Sequence, residues 1–432
     1  MNKIFYILIN ISFLCSFDQI PAPEQDHPIM LKGGIIKTIS NGTIDNGDIV
    51  FDEGKIINIG INLVEDLPNL EIIDLNGMYV YPGLISAIST LGLQEIGAVR
   101  ATRDYSETGS INPNVRANVS YNPDSELIPV SRSNGVLLSL SVPRSGLVSG
   151  MSSLMMLDGW TWEDATLKHP LGLHIFWPSM RVSKTKLKNN RKGHLESIQK
   201  LDSLFSSAHA YLRIKESSSK SFKHDLRLEG ILPVIKGEIP VFIHANEIRQ
   251  IEAAVFWSDR QNINMVLVGA KDAWRNTQLL VDHNISVVYT QTFSTPTRRF
   301  ENYDQPYITP LQLFNAKVKF CISNSESPFQ TPHIRNLPYY AAKAASYGLP
   351  WEEALRSITL STAEILQVDD RVGSLEKYKD ATLIISDGDI LDVRTNVISA
   401  YIEGRKIDLS DRHKMLYSKY KQKYQQINIL KK

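Results

Sequence analysis

Hydrophobic and polar positions change rhythm twice along this chain of 432 residues. From residue 28 to 81, short apolar or alternating runs (35–39, 48–51, 55–59 and 71–75) are separated by Asn41-Gly42, Asn46-Gly47, Glu53-Gly54 and Asn76-Gly77. Such pairs supply the positive φ angles of tight hairpin turns, so the segment reads as a small antiparallel β unit. It cannot bury both faces alone. Runs 381–386 and 393–402, followed by the turn pair Glu403-Gly404, have the same texture and are expected to complete it.

Between these ends the period lengthens. Strand-like runs at 241–245, 264–268 and 285–290 alternate with helical spacing over 247–260 and 272–283. That alternation argues for parallel βαβ units. Over 195–212, Leu195, Ile198, Leu201, Leu204, Phe205, Ala208 and Leu212 share one stripe, as in a helix packed outside a barrel. Residues 92–133 break the pattern. There Arg100, Arg103, Arg116 and Arg132 crowd with Asp104, Glu107, Asp124 and Glu126, which suits an ordered loop pinned by ion pairs. The Lys- and Tyr-rich tail, 411–432, reads as a solvated helix or a docking surface.

With 43% hydrophobic residues the chain can bury a large core, and its net charge of +1 gives no reason to expect a nucleic-acid partner. Met1-Asn2-Lys3 precedes an apolar run, 4–17, broken by Asn10, Ser12 and Ser16. This has the length of a secretory leader and is too short to span a bilayer. The expectation is a signal segment over 1–20, cleaved between Cys15 and Ala22, and export to a periplasmic or extracellular space. Lipid attachment at Cys15 is the alternative, with Leu14 a poor fit where a small residue is wanted. Only Cys15 and Cys321 occur, so the mature chain is expected to hold no disulfide. No later apolar run suggests a membrane span.

Val80-Tyr81-Pro82-Gly83-Leu84-Ile85-Ser86-Ala87-Ile88-Ser89-Thr90 resembles the first barrel strand of the amidohydrolase superfamily, in its imidazolonepropionase-like branch. Gly373-Ser374-Leu375-Glu376-Lys377-Tyr378-Lys379-Asp380-Ala381 is similar to the segment with which that family re-enters its β-sandwich. The helical pair before it, Ala354-Leu355 and 359–366, matches as well. The resemblance extends to Gly92-Leu93-Gln94-Glu95-Ile96, Arg100-Ala101-Thr102-Arg103-Asp104-Tyr105 and Asn122-Pro123-Asp124-Ser125-Glu126, which look like a secreted subgroup lacking the paired first-strand histidines. It implies an α/β fold in which a (β/α)8 TIM-type barrel, about 82–369, is inserted in a split β-sandwich made of 28–81 and 370–408. It also implies hydrolysis of non-peptide C–N bonds by metal-activated water.

The family's metal ligands are largely replaced here. Ile88 and Thr90 occupy the first-strand His positions, and Ser86 stands at the Asp. His244, in Ile243-His244-Ala245-Asn246, matches the fifth-strand His, while Val268-Gly269-Ala270 offers none on the sixth. Asn324 takes the place of the eighth-strand Asp, and an amide has no proton-accepting form near neutral pH. His174, in Leu173-His174-Ile175-Phe176-Trp177-Pro178, reads as the end of another barrel strand. Together with Arg103, Asp104, Glu107, Asp124 and Glu126 from the long loop, it is expected at the barrel mouth.

His174, His244 and one loop carboxylate are the ligand types of a zinc-like divalent ion. The site is therefore expected to hold either no cofactor or one such ion. Gly146-Leu147-Val148-Ser149-Gly150 lacks the Lys-Ser/Thr ending of a phosphate loop, and Cys321 lies in an apolar run. Two readings stand. One is a hydrolase with an altered site, using His244 and the Asn324 position. The other is an exported, non-catalytic protein whose mouth binds a small molecule, or which supports an active paralogue or forms a homodimer.

Overall fold

Turn chemistry lays out the first strands. In this computed structural model, which describes residues 19–181, 187–217, 223–325 and 327–427, β1 (Ile29–Lys37), β2 (Thr43–Asp52), β3 (Lys55–Ile61), β4 (Glu71–Asp74) and β5 (Tyr79–Pro82) follow in turn. Glu53 and Gly54, at φ 47° and 76°, close the β2–β3 hairpin. Asn46-Gly47, expected as a turn, lies inside β2, where Gly47 opposes Gly34 of β1 and the register shifts. A Cβ on Gly47 would strike Ile36 and Ile44, so the pair serves a bulge. Asp48 secures the place by accepting from the N–H groups of Gly33 (2.9 Å) and Leu63 (2.8 Å).

A second sheet follows. Its early part comprises β6 (Leu84–Ser89), α1 (Leu127–Arg132), β7 (Val136–Ser141), β8 (Val148–Met156), α2 (Trp162–Ala165) and β9 (Thr166–Phe176). Next come α3 (Leu187–Glu216), α4 (Leu226–Ile235), β10 (Val241–Ala245), α5 (Ile248–Gln261), β11 (Met265–Gly269), α6 (Thr277–Asp282) and β12 (Ser286–Tyr289). The last part is α7 (Gln305–Asn315), β13 (Phe320–Ile322), α8 (Leu337–Ala345), α9 (Trp351–Arg356) and α10 (Leu360–Ile365). The eight strands lie side by side in chain order from β6 to β13.

Pairing is parallel between β6 and β7 and from β9 through β13, but β8 runs antiparallel to both its neighbours. A regular (β/α)8 repeat is therefore not what forms. Residues 142–147 between β7 and β8 are too few for a helical crossover, which needs a dozen or more, so the chain reverses directly. The barrel is nearly closed. Across its seam the α9–α10 linker accepts from both flanking strands, Ile322 N–H to the Ser357 carbonyl and Ile85 N–H to the Ile358 carbonyl, each at 3.0 Å.

On the outer layer, Leu201, Phe205 and Ala208 of α3 are buried while Leu195 is exposed, so the buried stripe starts later than its spacing predicts. Residues 272–283, expected as one helix, divide into a 3-10 turn (Ala273–Arg275) and α6. The Asn276 side chain caps α6 by accepting from Leu279 N–H at 3.3 Å.

The chain then returns to the first sheet through β14 (Leu383–Ser386), β15 (Val397–Ile402) and β16 (Arg405–Lys406). The order is β16-β15-β14-β5-β1-β2-β3, with β4 beside the first half of β1. Both chain ends thus share one branched sheet. Buried Asp158 binds Arg132 (2.9 Å), Arg405 (3.1 Å) and the Ala22 N–H (3.0 Å), tying the barrel to both ends. α11 (Arg412–Gln426) follows, capped by Asp411, with no buried residue. Residues 1–18, including Cys15 and most of the expected leader, lie outside the described residues, as do 428–432. Among the described residues no helix is long and apolar enough to cross a membrane.

Candidate functional site at the barrel mouth

Register brings the two mouth histidines together. Phe242 of β10 lies opposite His174 of β9, so His244 sits two residues further towards the C-terminal ends. His174 Nδ1 and His244 Nε2 are 2.9 Å apart. The contact needs one ring to donate and the other to accept, so the pair cannot be doubly protonated. His174 is fully buried, stacked on Phe242, and its Nε2 finds no partner among the described residues. Burial, reinforced by His244, holds its pKa well below the usual histidine range. His244 stacks on Phe176 with centroids 3.9 Å apart, and the Arg144 guanidinium lies 5.9 Å from that same Phe176 ring.

Ile88, Thr90, Ser86 and Asn324 are all committed to the core. Ile88 is fully buried. Thr90 Oγ1 meets Thr331 Oγ1 at 2.6 Å, and Ser86 Oγ donates to Asn324 Oδ1 at 3.2 Å. Asn324 Nδ2 in turn donates to the Gln330 carbonyl at 3.3 Å. Ser89 and Ser139 share a hydrogen bond of 2.7 Å. The Ser86–Asn324 and Thr90–Thr331 contacts thus join the end of β6 to the segment after β13 across the seam of the barrel.

The long loop is held differently from expectation. Arg132 pairs with Asp158, which is not a loop acid. Among the described residues no ion pair joins Asp104, Glu107, Asp124 or Glu126 to Arg100, Arg103, Arg116 or Arg132. The backbone does the holding, because β7 covers only residues 153–156 of β8 and leaves the start of β8 open. Loop residues fill that edge: Asn112 N–H to the Val148 carbonyl (2.8 Å), Met151 N–H to Val115 (2.7 Å) and Ala117 N–H to Met151 (3.0 Å). Asp104, Glu107 and Asp124 are exposed, and Arg103 and Glu126 are partly covered. Glu107 accepts from the Thr108 N–H and hydroxyl, which holds its carboxyl below the ordinary range.

Sequence reasoning missed two features. One is Asp272, buried just past β11, which accepts two bonds from Arg298 (2.7 and 2.6 Å) and one from Ile248 N–H (3.0 Å). Burial pushes its carboxyl up, but the Arg298 guanidinium, the Ile248 N–H and the Arg275 charge together hold it low. The other is a cavity of about 250 Å³ at the ends of β12 and β13. Its polar lining includes Thr290, Gln291, Ser294, Asn324 and Gln330, and Phe293 and Tyr340, edge to face at 4.8 Å, wall one side. Neither His174 nor His244 lines it. No local signal marks such residues, since Gln, Ser and Thr are common in any loop. Cys321, behind this wall of the barrel, is buried, which pushes its thiol up to about 12.

The donor set does not suit a resident metal ion. Among the described residues no group of three or more His, Cys, Asp or Glu converges, so His174 and His244 are not joined by a loop carboxylate. Zinc needs about three protein ligands.

Residues 329–409 match the profile of the amidohydrolase family. The chain is similar to the amidohydrolase tasK of Hapsidospora irregularis, 20% identical over 411 residues, which cover 83% of this chain and 39% of that protein. It thus spans about two fifths of the length of the curated relative it matches. Among solved structures it resembles an amidohydrolase from Thermotoga maritima MSB8, at 26% identity and TM-score 0.78, covering 88% of this chain and 99% of the other. An adenosine deaminase from Xanthomonas campestris with bound zinc shares the fold at 13% identity and TM-score 0.53, covering 94% of this chain and all of the other. The likeness in each comparison is to proteins of the amidohydrolase kind.

Proposed function

We propose that this chain keeps the amidohydrolase scaffold with a dismantled metal site, and that its mouth binds a small, uncharged polar molecule without the family's metal-dependent hydrolysis. The observation that carries the reading is the commitment of these side chains to hydrogen bonds across the seam: Ser86 to Asn324, Asn324 to the Gln330 carbonyl, and Thr90 to Thr331. A cavity walled by amides, hydroxyls and two aromatic rings suits hydroxyl- or amide-bearing ligands, which stack on the rings and exchange neutral hydrogen bonds. Among its described lining residues no carboxylate or imidazole stands ready to move a proton. Glu326, next in sequence to lining Ser325 and Ser327, lies outside the described residues. Export through the leader at 1–20, and support of an active paralogue or pairing as a homodimer, accord with a binding role.

The test is metal content in protein purified from zinc-supplemented cells, beside the His244→Ala variant. The expected result is well below one divalent ion per chain in both. One zinc per chain, lost in the variant, would return the hydrolase reading. Binding is tested separately by calorimetry against neutral polyols and amides, with Gln291→Ala weakening any hit.

A further inference from the structure

α11 is the one long element whose every residue is left out of the core among the described residues. Its sequence is nonetheless ordered around the helix. At about 100° per residue, Leu416, Tyr417, Tyr420, Tyr424 and Ile427 fall within an arc of about 100°. His413 lies within that arc, Arg412, Lys419 and Lys423 flank it on one side, Lys414 and Lys421 on the other, and Met415, Ser418, Gln422, Gln425 and Gln426 fall opposite. The five apolar and aromatic arc residues are between 41% and 66% exposed, so the protein does not cover them.

Charge is segregated to match. Residues 411–432 hold seven Lys and Arg against Asp411 alone, a local +6 in a chain of net +1, so the rest carries −5. No acid lies within the helix itself. Lys421 sits 5.7 Å from the Tyr417 ring and Lys423 5.9 Å from the Tyr420 ring, placing cations along the aromatic edge.

We propose that α11 is a docking element for an anionic lipid surface. Tyr rings suit the headgroup level, with one apolar and one wet end, and flanking lysines reach outward to phosphate while their stems cover the apolar arc. A largely polar helix with a narrow apolar arc and a basic border binds such a surface reversibly, through charge first and apolar contact second. The position agrees. The chain that follows the apolar run 4–17 is fastened at Ala22 to Asp158 and Arg405, only a few residues before the Asp411 cap.

The test is sedimentation of the full chain with vesicles of phosphatidylcholine alone or mixed with phosphatidylglycerol. Binding to the mixed vesicles only, released by high salt, is expected. Replacing Lys419, Lys421 and Lys423 together by Gln should weaken it about 100-fold, at roughly five-fold per cation. Leu416→Ser with Tyr420→Ser should also weaken it. Because none of these side chains is buried, thermal unfolding of the variants should match the parent. Equal binding to both vesicle types, no vesicle binding, unchanged binding in the triple variant, or retention by RNA or a second copy in its place would overturn the proposal.

Discussion

His174 and His244 meet nitrogen to nitrogen at 2.9 Å inside the mouth of the barrel, one fully enclosed and the other stacked on Phe176. Since His174 is neutral when folded and its pKa is depressed, the unfolded chain takes up a proton below about 6.5 that the folded chain refuses. Its contribution is therefore present above that pH and lost as pH falls. Urea unfolding of the parent should show stability declining below pH 6.5 by up to about 1.4 kcal/mol per pH unit from this group. His174→Gln should flatten that slope, leaving the weaker contribution of His169, which burial lowers to about 4.

Restoring the family's acid should not restore its chemistry. Asn324→Asp replaces an N–H that donates to the Gln330 carbonyl by an oxygen facing it. The expected cost at pH 7 is about 1–3 kcal/mol. Because the buried carboxyl's pKa is raised, the cost should shrink as pH falls towards about 4. Urea midpoints at pH 7 and 5 check the sign, and metal analysis should show no zinc gained.

Asp158→Asn removes the shared counter-ion of Arg132 and Arg405, leaving two guanidinium groups enclosed. A loss of about 3–5 kcal/mol is expected, read as a lower urea midpoint. Arg405→Met, which leaves Arg132 paired, should cost less.

Gly92 adopts φ 74°, and a Cβ there would come within 2.2 Å of the Tyr121 ring. Gly92→Ala should cost about 1–3 kcal/mol and loosen the loop that Tyr121 anchors. Limited proteolysis should then cleave within residues 93–120 sooner than in the parent.

How far such features could be read beforehand depends on how local they are. β10 was legible to the residue, because Val241–Ala245 is apolar but for His244 and lies between a proline and a polar turn. Glu53-Gly54 and Asn46-Gly47 look alike in sequence, yet one turns and the other bulges, since only Gly34 on the opposing strand decides. The reversal at β8 was hidden because Ser149, Ser152 and Ser153 are buried and mask the expected alternation. His174 and His244 could each be placed at the mouth, but their contact rests on the register of β9 against β10. Thr90 drew attention in the sequence only through a resemblance, and its partner Thr331 lies 241 positions away, so their contact had no local sign.

β5 receives β14 along one edge, Tyr81 facing Ile384 and Val80 facing Ile385. About three hundred residues separate the two strands, so at 5–20 residues per second a ribosome needs roughly 15–60 s to deliver the second after the first. For that interval the nascent chain offers an unmated strand edge, the kind that captures another molecule's strand. A chain truncated before β14 is therefore expected to self-associate more readily than the complete one.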